Sequence, residues 1–173
     1  MKSCRAKYDK VAARLAAKGS CPACLDPATQ ASLADQVMVQ VDDSTPSIYC
    51  AGTVPFPRTA TGMVPPDKNA LRSTAFVARN LAKLRMCLRT CRIKAARYAV
   101  RGKAFDEQAC MSTDPVKSCQ AKYDKAAAKL LGRGIAPACL DAAQQSSLAE
   151  QTTLDIEGTN GTLYCAGSMP FAP

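Results

Sequence analysis

Ten cysteines and no histidine frame the chemistry open to this chain. A cysteine can serve as a structural disulfide, a metal thiolate or a redox nucleophile. Zinc sites usually draw on histidine or on two close CxxC pairs, and the CxxC here is Cys21-Pro22-Ala23-Cys24. That "CPAC" has the spacing of thiol–disulfide oxidoreductases, where a helix N-terminus lowers a thiol pKa. A matching stretch later in the chain reads Ala136-Pro137-Ala138-Cys139, so the pair is not required by the pattern. An even cysteine count at repeated spacings reads instead as a disulfide framework of an oxidising compartment. Cys4, Cys21, Cys24, Cys50, Cys87, Cys91, Cys110, Cys119, Cys139 and Cys165 are therefore all disulfide candidates, and few or no free thiols are expected.

Other chemistry has little to work with. Without histidine, a general base must be Asp, Glu, Lys, Tyr or thiolate. The recurrent polar pair is Tyr8-Asp9 with Tyr123-Asp124, placed in helical patterns where Tyr packs and Asp faces water. There is no nucleophile with a positioned base, no phosphate loop and no cofactor fingerprint. The expectation is a protein that is not an enzyme and takes no cofactor and no metal.

The cysteines recur because the chain is duplicated. Lys2–Pro57 aligns with Lys117–Ala172 at about half its positions, far beyond chance. Cys4, Cys24 and Cys50 match Cys119, Cys139 and Cys165; Tyr8-Asp9, Leu25-Asp26 and "YCAG" at Tyr49 recur as Tyr123-Asp124, Leu140-Asp141 and "YCAG" at Tyr164. Between the copies, Arg58–Val116 occurs once. The division is 1–57 as a first, incomplete repeat, 58–68 as linker, 69–116 as a central basic helix and connector, and 117–173 as the second copy. The first copy lacks the helix that precedes the second, so the chain holds one and a half to two units. This reads as a fragment of a longer repeat protein or as a unit whose missing helix a neighbour supplies. The start, Met1-Lys2-Ser3-Cys4, has no apolar run of a signal peptide; a leader already removed, or a longer product, is expected.

Equivalent residues should bond equivalently. Cys24–Cys50 and Cys139–Cys165 would close matching loops. Cys87 and Cys91, four apart on one helix face, would staple that helix to Cys4 and Cys119, leaving Cys21 to pair with Cys110.

The elements that must position these residues are helices. Lys2–Lys18 is stopped by Gly19, and Lys117–Gly132 is its twin, with Asp114-Pro115 as cap and first position. Asp26-Pro27 and Asp141 start a second helix in each copy, the first running to about Val41. The stretches "DDSTPS" and "EGTNGT" read as loops leading into short extended segments, "IYCAG" and "LYCAG"; Asn160-Gly161-Thr162, a glycosylation pattern, reads as a turn. The central helix carries a heptad seam, Val77, Leu81, Leu84, Leu88, Cys91, Ala95 and Tyr98, made to pack along another helix, and Gly102 ends it. The fold class is mostly α: a disulfide-stapled helical repeat with short extended segments.

With 173 residues, 47% apolar but only 5% aromatic and no Trp, the core is thin and needs its staples. No stretch approaches a membrane span. The net charge of +9 gathers on the central helix, where Arg72–Lys103 holds ten bases and no acid. Arg79, Arg85, Arg89, Arg92, Arg97 and Arg101 are candidate contacts to an anionic polymer or a partner. Solvation alone also explains such a face, and pairing with the Asp and Glu of the copies is a third reading. Too few aromatics flank the helix for base stacking, so sequence-specific nucleic acid binding is not expected.

The order "MCLRTC … KAFDEQAC … KSCQAKYDKAAAKLL … PACLD … LYCAG" resembles a cysteine-rich tandem-repeat family of predicted secreted proteins from environmental bacteria, over essentially the whole chain. The resemblance implies secretion and repetition and carries no chemistry; this chain departs from it by lacking the first CxxxC helix. The functional expectation is a secreted or cell-surface structural or interaction protein, self-assembling head-to-tail into an extracellular filament. The alternative is a binding module for an anionic extracellular polymer or surface.

Overall fold

The structure is a computed structural model that describes residues 4–19, 21–56 and 62–165. Residues 58–61 of the expected linker, Lys2 and Ser3 of the first helix, and the residues after Cys165 lie outside that set. The fold is mostly α. Helix α1 spans Cys4–Ala17, α2 Pro27–Ile48, α3 Lys68–Val100, α4 Cys119–Leu131 and α5 Ala142–Leu163. Single 3-10 turns at Ala23–Leu25 and Ala138–Leu140 lead into α2 and α5. The strands β1 (Val54–Pro55) and β2 (Met63–Val64) pair antiparallel, Val54 opposite Val64. Gly52 makes this hairpin possible: its φ is +153°, and a Cβ there would sit 2.2 Å from the Val64 carbonyl oxygen.

The starts of α2, α3, α4 and α5 have local causes. Asp67 accepts the backbone N–H groups of Asn69 and Ala70 and caps α3. Asp26 accepts from Thr29 and Asp141 from Gln144, the same cap in both copies. At α4 the expected cap moves: Ser118 accepts from Ala121 at 3.1 Å, while Asp114 holds the turn before it through Val116 and Lys117. Those amides hold the Asp114 carboxyl below the usual carboxylate range. The loops expected at "DDSTPS" and "EGTNGT" are corrected too. Helix α2 runs through Pro46 to Ile48 and α5 through Asn160-Gly161 to Leu163, 22 residues each.

That extra length overturns the within-copy disulfides. A helix of 22 residues is about 33 Å long, and its ends cannot be joined by a bond that needs Cα atoms within about 7 Å. Cys24 and Cys50 flank α2, and Cys139 and Cys165 flank α5, so each must look elsewhere. The bonds are Cys24–Cys165, with Cα atoms 6.1 Å apart, and Cys50–Cys139, at 6.2 Å. Each "ACLD" cysteine still bonds a "YCAG" cysteine, but in the opposite copy. The other bonds are Cys87–Cys119 and Cys91–Cys110. Cys87 thus reaches the second copy, but Cys91 takes Cys110 from the connector in place of Cys4. Cys4 and Cys21 are free thiols, contrary to expectation.

The chain divides into two compact units that cut across the copies. One joins residues 1–42 with 157–173; the other is 43–156. The boundary falls inside α2 and α5, not at the ends of the repeats, because both helices run further than their turn-like residues suggest. The second unit holds the main core. There Val77, Leu81, Leu84, Leu88 and Cys91 of α3 pack with Cys119, Tyr123, Ala127 and Leu130 of α4 and with Leu140, Leu148, Ala149 and Ile156. The seam is buried as far as Cys91, while Tyr98 is exposed. Asn80 donates to the Tyr123 carbonyl and Ser73 to the Ile135 carbonyl, so the buried polar groups of α3 are satisfied.

Candidate interaction face on the first helix pair

The two helix–turn–helix modules close on themselves by the same bonds. In the second copy the Tyr123 hydroxyl donates to the Gln145 carbonyl at 2.8 Å, and the Gln145 amide donates to the Leu140 carbonyl at 2.8 Å. In the first, the Tyr8 hydroxyl donates to the Gln30 carbonyl at 2.9 Å, and the Gln30 amide to the Leu25 carbonyl at 2.7 Å. Arg5 adds ion pairs to Asp9 and Asp35. Tyr and Gln therefore act as a latch between the two helices of each module.

What differs is the cover. In the second copy α3 lies over α4, and Tyr123 and Leu130 are 3% and 2% exposed. Their counterparts Tyr8 and Leu15 on α1 are 39% and 42% exposed, and Val11 is exposed beside them. No residue of the described part of α1 is buried. Tyr8, Ala12, Ala16, Gln30 and Ala31 line a groove of about 410 Å³ between α1 and α2. Cys119 at the start of α4 is buried and bonded to Cys87; Cys4, at the same place on α1, is exposed and free. Cys87 and Cys91 are committed to Cys119 and Cys110, which leaves Cys4 no partner cysteine on α3.

The two free thiols cannot satisfy each other. Cys4 is the first residue of α1 and Cys21 lies past its far end, and the 14 residues of the helix span about 20 Å. Nor is "CPAC" a bonded pair, since Cys24 is held by Cys165. Cys21 is half-buried, with the Gln30 amide 3.8 Å from its sulfur.

Three sulfurs at the contact of α3 and α4 form a second cluster. Those of Cys87, Cys91 and Cys119 all lie within 4.8 Å of one another, and Cys91 Sγ is 3.5 Å from Cys119 Sγ. A metal would require thiolates; as disulfides these sulfurs offer none.

The six candidate arginines do not share one surface. Arg85 turns inward to Asp155 at 3.0 Å, and Arg92 pairs with Glu107 at 2.8 Å. Arg89 is half-buried, and Arg79, Arg97 and Arg101 are exposed.

Burial of α4 has a titratable reporter. Burial first, and the neighbouring Asp124 charge second, push the Tyr123 phenol from 10.0 to about 12. The folded state favours the neutral phenol. The stability this confers is complete below pH 10 and is lost as pH rises from 10 through about 12. Ultraviolet titration should show a tyrosinate step near pH 12 that Tyr123→Phe abolishes. A Tyr123 step still present near pH 10 in the folded protein would contradict the packing described.

No family model, curated protein or solved structure matches this chain.

Proposed function

We propose that this chain is a secreted or cell-surface structural protein that acts through its surfaces and assembles with neighbouring repeats. The observation that carries the reading is the contrast between Tyr8 and Leu15, exposed on α1, and Tyr123 and Leu130, buried on α4. An apolar face whose twin is covered within the same chain marks an interface. Four disulfides fit an oxidising, extracellular compartment. Among the described residues, no helix is long and apolar enough to cross a membrane.

Cover supplied by a neighbour is heterologous. It joins one molecule's face to a different face of the next and propagates head-to-tail as a filament unless the rotation closes. Light scattering and electron microscopy at physiological salt test this. Association should rise with concentration, survive added salt and weaken in Ala12→Arg, which sets a charge into the groove. A single species of 18.3 kDa at high concentration, unchanged by Ala12→Arg, would sink self-assembly. A second reading rests on Arg79, Arg97 and Arg101, exposed along α3: binding of an anionic extracellular polymer, which salt would weaken steeply.

A further inference from the structure

The uncovered face has a template for its occupant in the same molecule. We infer that the α1–α2 groove of the first unit receives a helix of the α3 type, and that Cys4 locks it through a disulfide to a cysteine at the Cys87 position. This rests on reading α1 as an interaction face, and it names the partner by its chemistry. The partner is an amphipathic helix with an apolar heptad seam and a thiol beside the middle of that seam, at the position that Cys87 holds next to Leu88.

Three observations carry it. The modules α1–α2 and α4–α5 share their capping aspartates and their Tyr–Gln latch, so their surfaces are built alike. In the covered copy, Cys119, Tyr123, Ala127 and Leu130 form the strip on which α3 lies; the matching strip on α1 is Cys4, Tyr8, Ala12 and Leu15. Cys119 bonds Cys87 of the covering helix, while Cys4 has its thiol exposed and no partner thiol within the chain that it can reach. An arriving helix can also repeat the Asn80 contact, donating an amide to the Tyr8 carbonyl as Asn80 does to Tyr123.

The α3 of a second copy is the poorer candidate. It is already bound through Cys87–Cys119 and Cys91–Cys110. Moving it would uncover its own α4, with no net gain in buried surface. It would also forfeit the Arg85–Asp155 pair, because Gln40 stands where α5 has Asp155. The occupant is therefore an α3-type helix not already bound to an α4; head-to-tail association of intact chains would set a different face of the neighbour on α1.

The locking step is thiol–disulfide exchange. The Cys4 thiolate attacks the sulfur of the arriving cysteine, which is carried as a mixed disulfide with a small thiol. The Cys4–cysteine bond forms, the mixed disulfide breaks, and the small thiol leaves with the electron pair and takes up a proton. One disulfide replaces another, so no external oxidant is consumed.

The test uses the intact protein and a synthetic peptide of residues 67–102 with Cys91→Ser, its Cys87 activated as a mixed disulfide with thiopyridine. Docking raises the local thiol concentration, so the peptide should cross-link to Cys4 at least about tenfold faster than a scrambled peptide with the same activated cysteine. Cys4→Ser should abolish the product, Cys21→Ser should leave its rate unchanged, and Ala12→Arg or Val11→Glu should reduce it to the scrambled rate. Equal rates for the two peptides, or a bond formed at Cys21, overturn the inference. Fluorescence anisotropy of the Cys87→Ser, Cys91→Ser peptide measures docking without the bond. Docking to wild type and its loss in Val11→Glu support the occupant; no docking overturns it. If intact protein self-associates through α1 while this peptide does not dock, the occupant is wrong and the reading of the face stands. If both fail, the face is not an interface.

Discussion

Replacing Cys24 and Cys165 together is expected to destabilise the protein by about 4 kcal/mol, no more than replacing either alone, whereas Cys24→Ser with Cys50→Ser should cost about twice that. The bonds close spans of 141 and 89 residues. Loop-closure entropy assigns isolated loops of that size close to 5 kcal/mol, and less when the second bond already shortens the first loop. Residues of one bond act as a unit, so their losses do not add; residues of two bonds lose both. The second double variant then approaches the whole stability of a domain, about 5–15 kcal/mol, and should be largely unfolded at physiological temperature. Urea denaturation of the three single and two double variants, followed by helicity, decides it. Additive losses for 24 with 165, and non-additive losses for 24 with 50, would mean that each copy closes its own loop.

Leu130→Ala should cost about 2–5 kcal/mol, while Leu15→Ala, the same change at the matching position of the other copy, should cost less than about 1. Both leucines follow a near-identical helical sequence, so helix propensity cancels between them. What remains is the cavity: Leu130 is 2% exposed beneath α3, and Leu15 is 42% exposed. Equal losses would show that α1 is covered as α4 is, and the proposed interface would disappear with the asymmetry. With the activated α3 peptide cross-linked at Cys4, the cost of Leu15→Ala should rise towards that of Leu130→Ala.

Much of this molecule is legible without coordinates. The duplication, the mostly helical class and the α3 seam follow from patterns local to the chain: heptad spacing, capping aspartates and repeated cysteine flanks. Asp26 and Asp141 mark helix starts in the sequence as they do in the fold. Helix ends were harder. Pro46 and Asn160-Gly161 carry turn chemistry, yet both stretches stay helical; local propensity is a weak prior that tertiary context overrides.

The disulfide partners depended on that error. Cysteine spacing identifies which flanks recur but holds no distance, and a loop-closing bond becomes impossible once the intervening residues stretch into about 33 Å of helix. By itself the sequence determined which cysteines are equivalent, because equivalence is written in their neighbours. Only the tertiary structure decided that Cys24 bonds Cys165, that Cys50 bonds Cys139 and that Cys4 bonds nothing in this chain. Bonding depends on which helix ends and which covering helix lie within a few ångströms, and that is a property of packing.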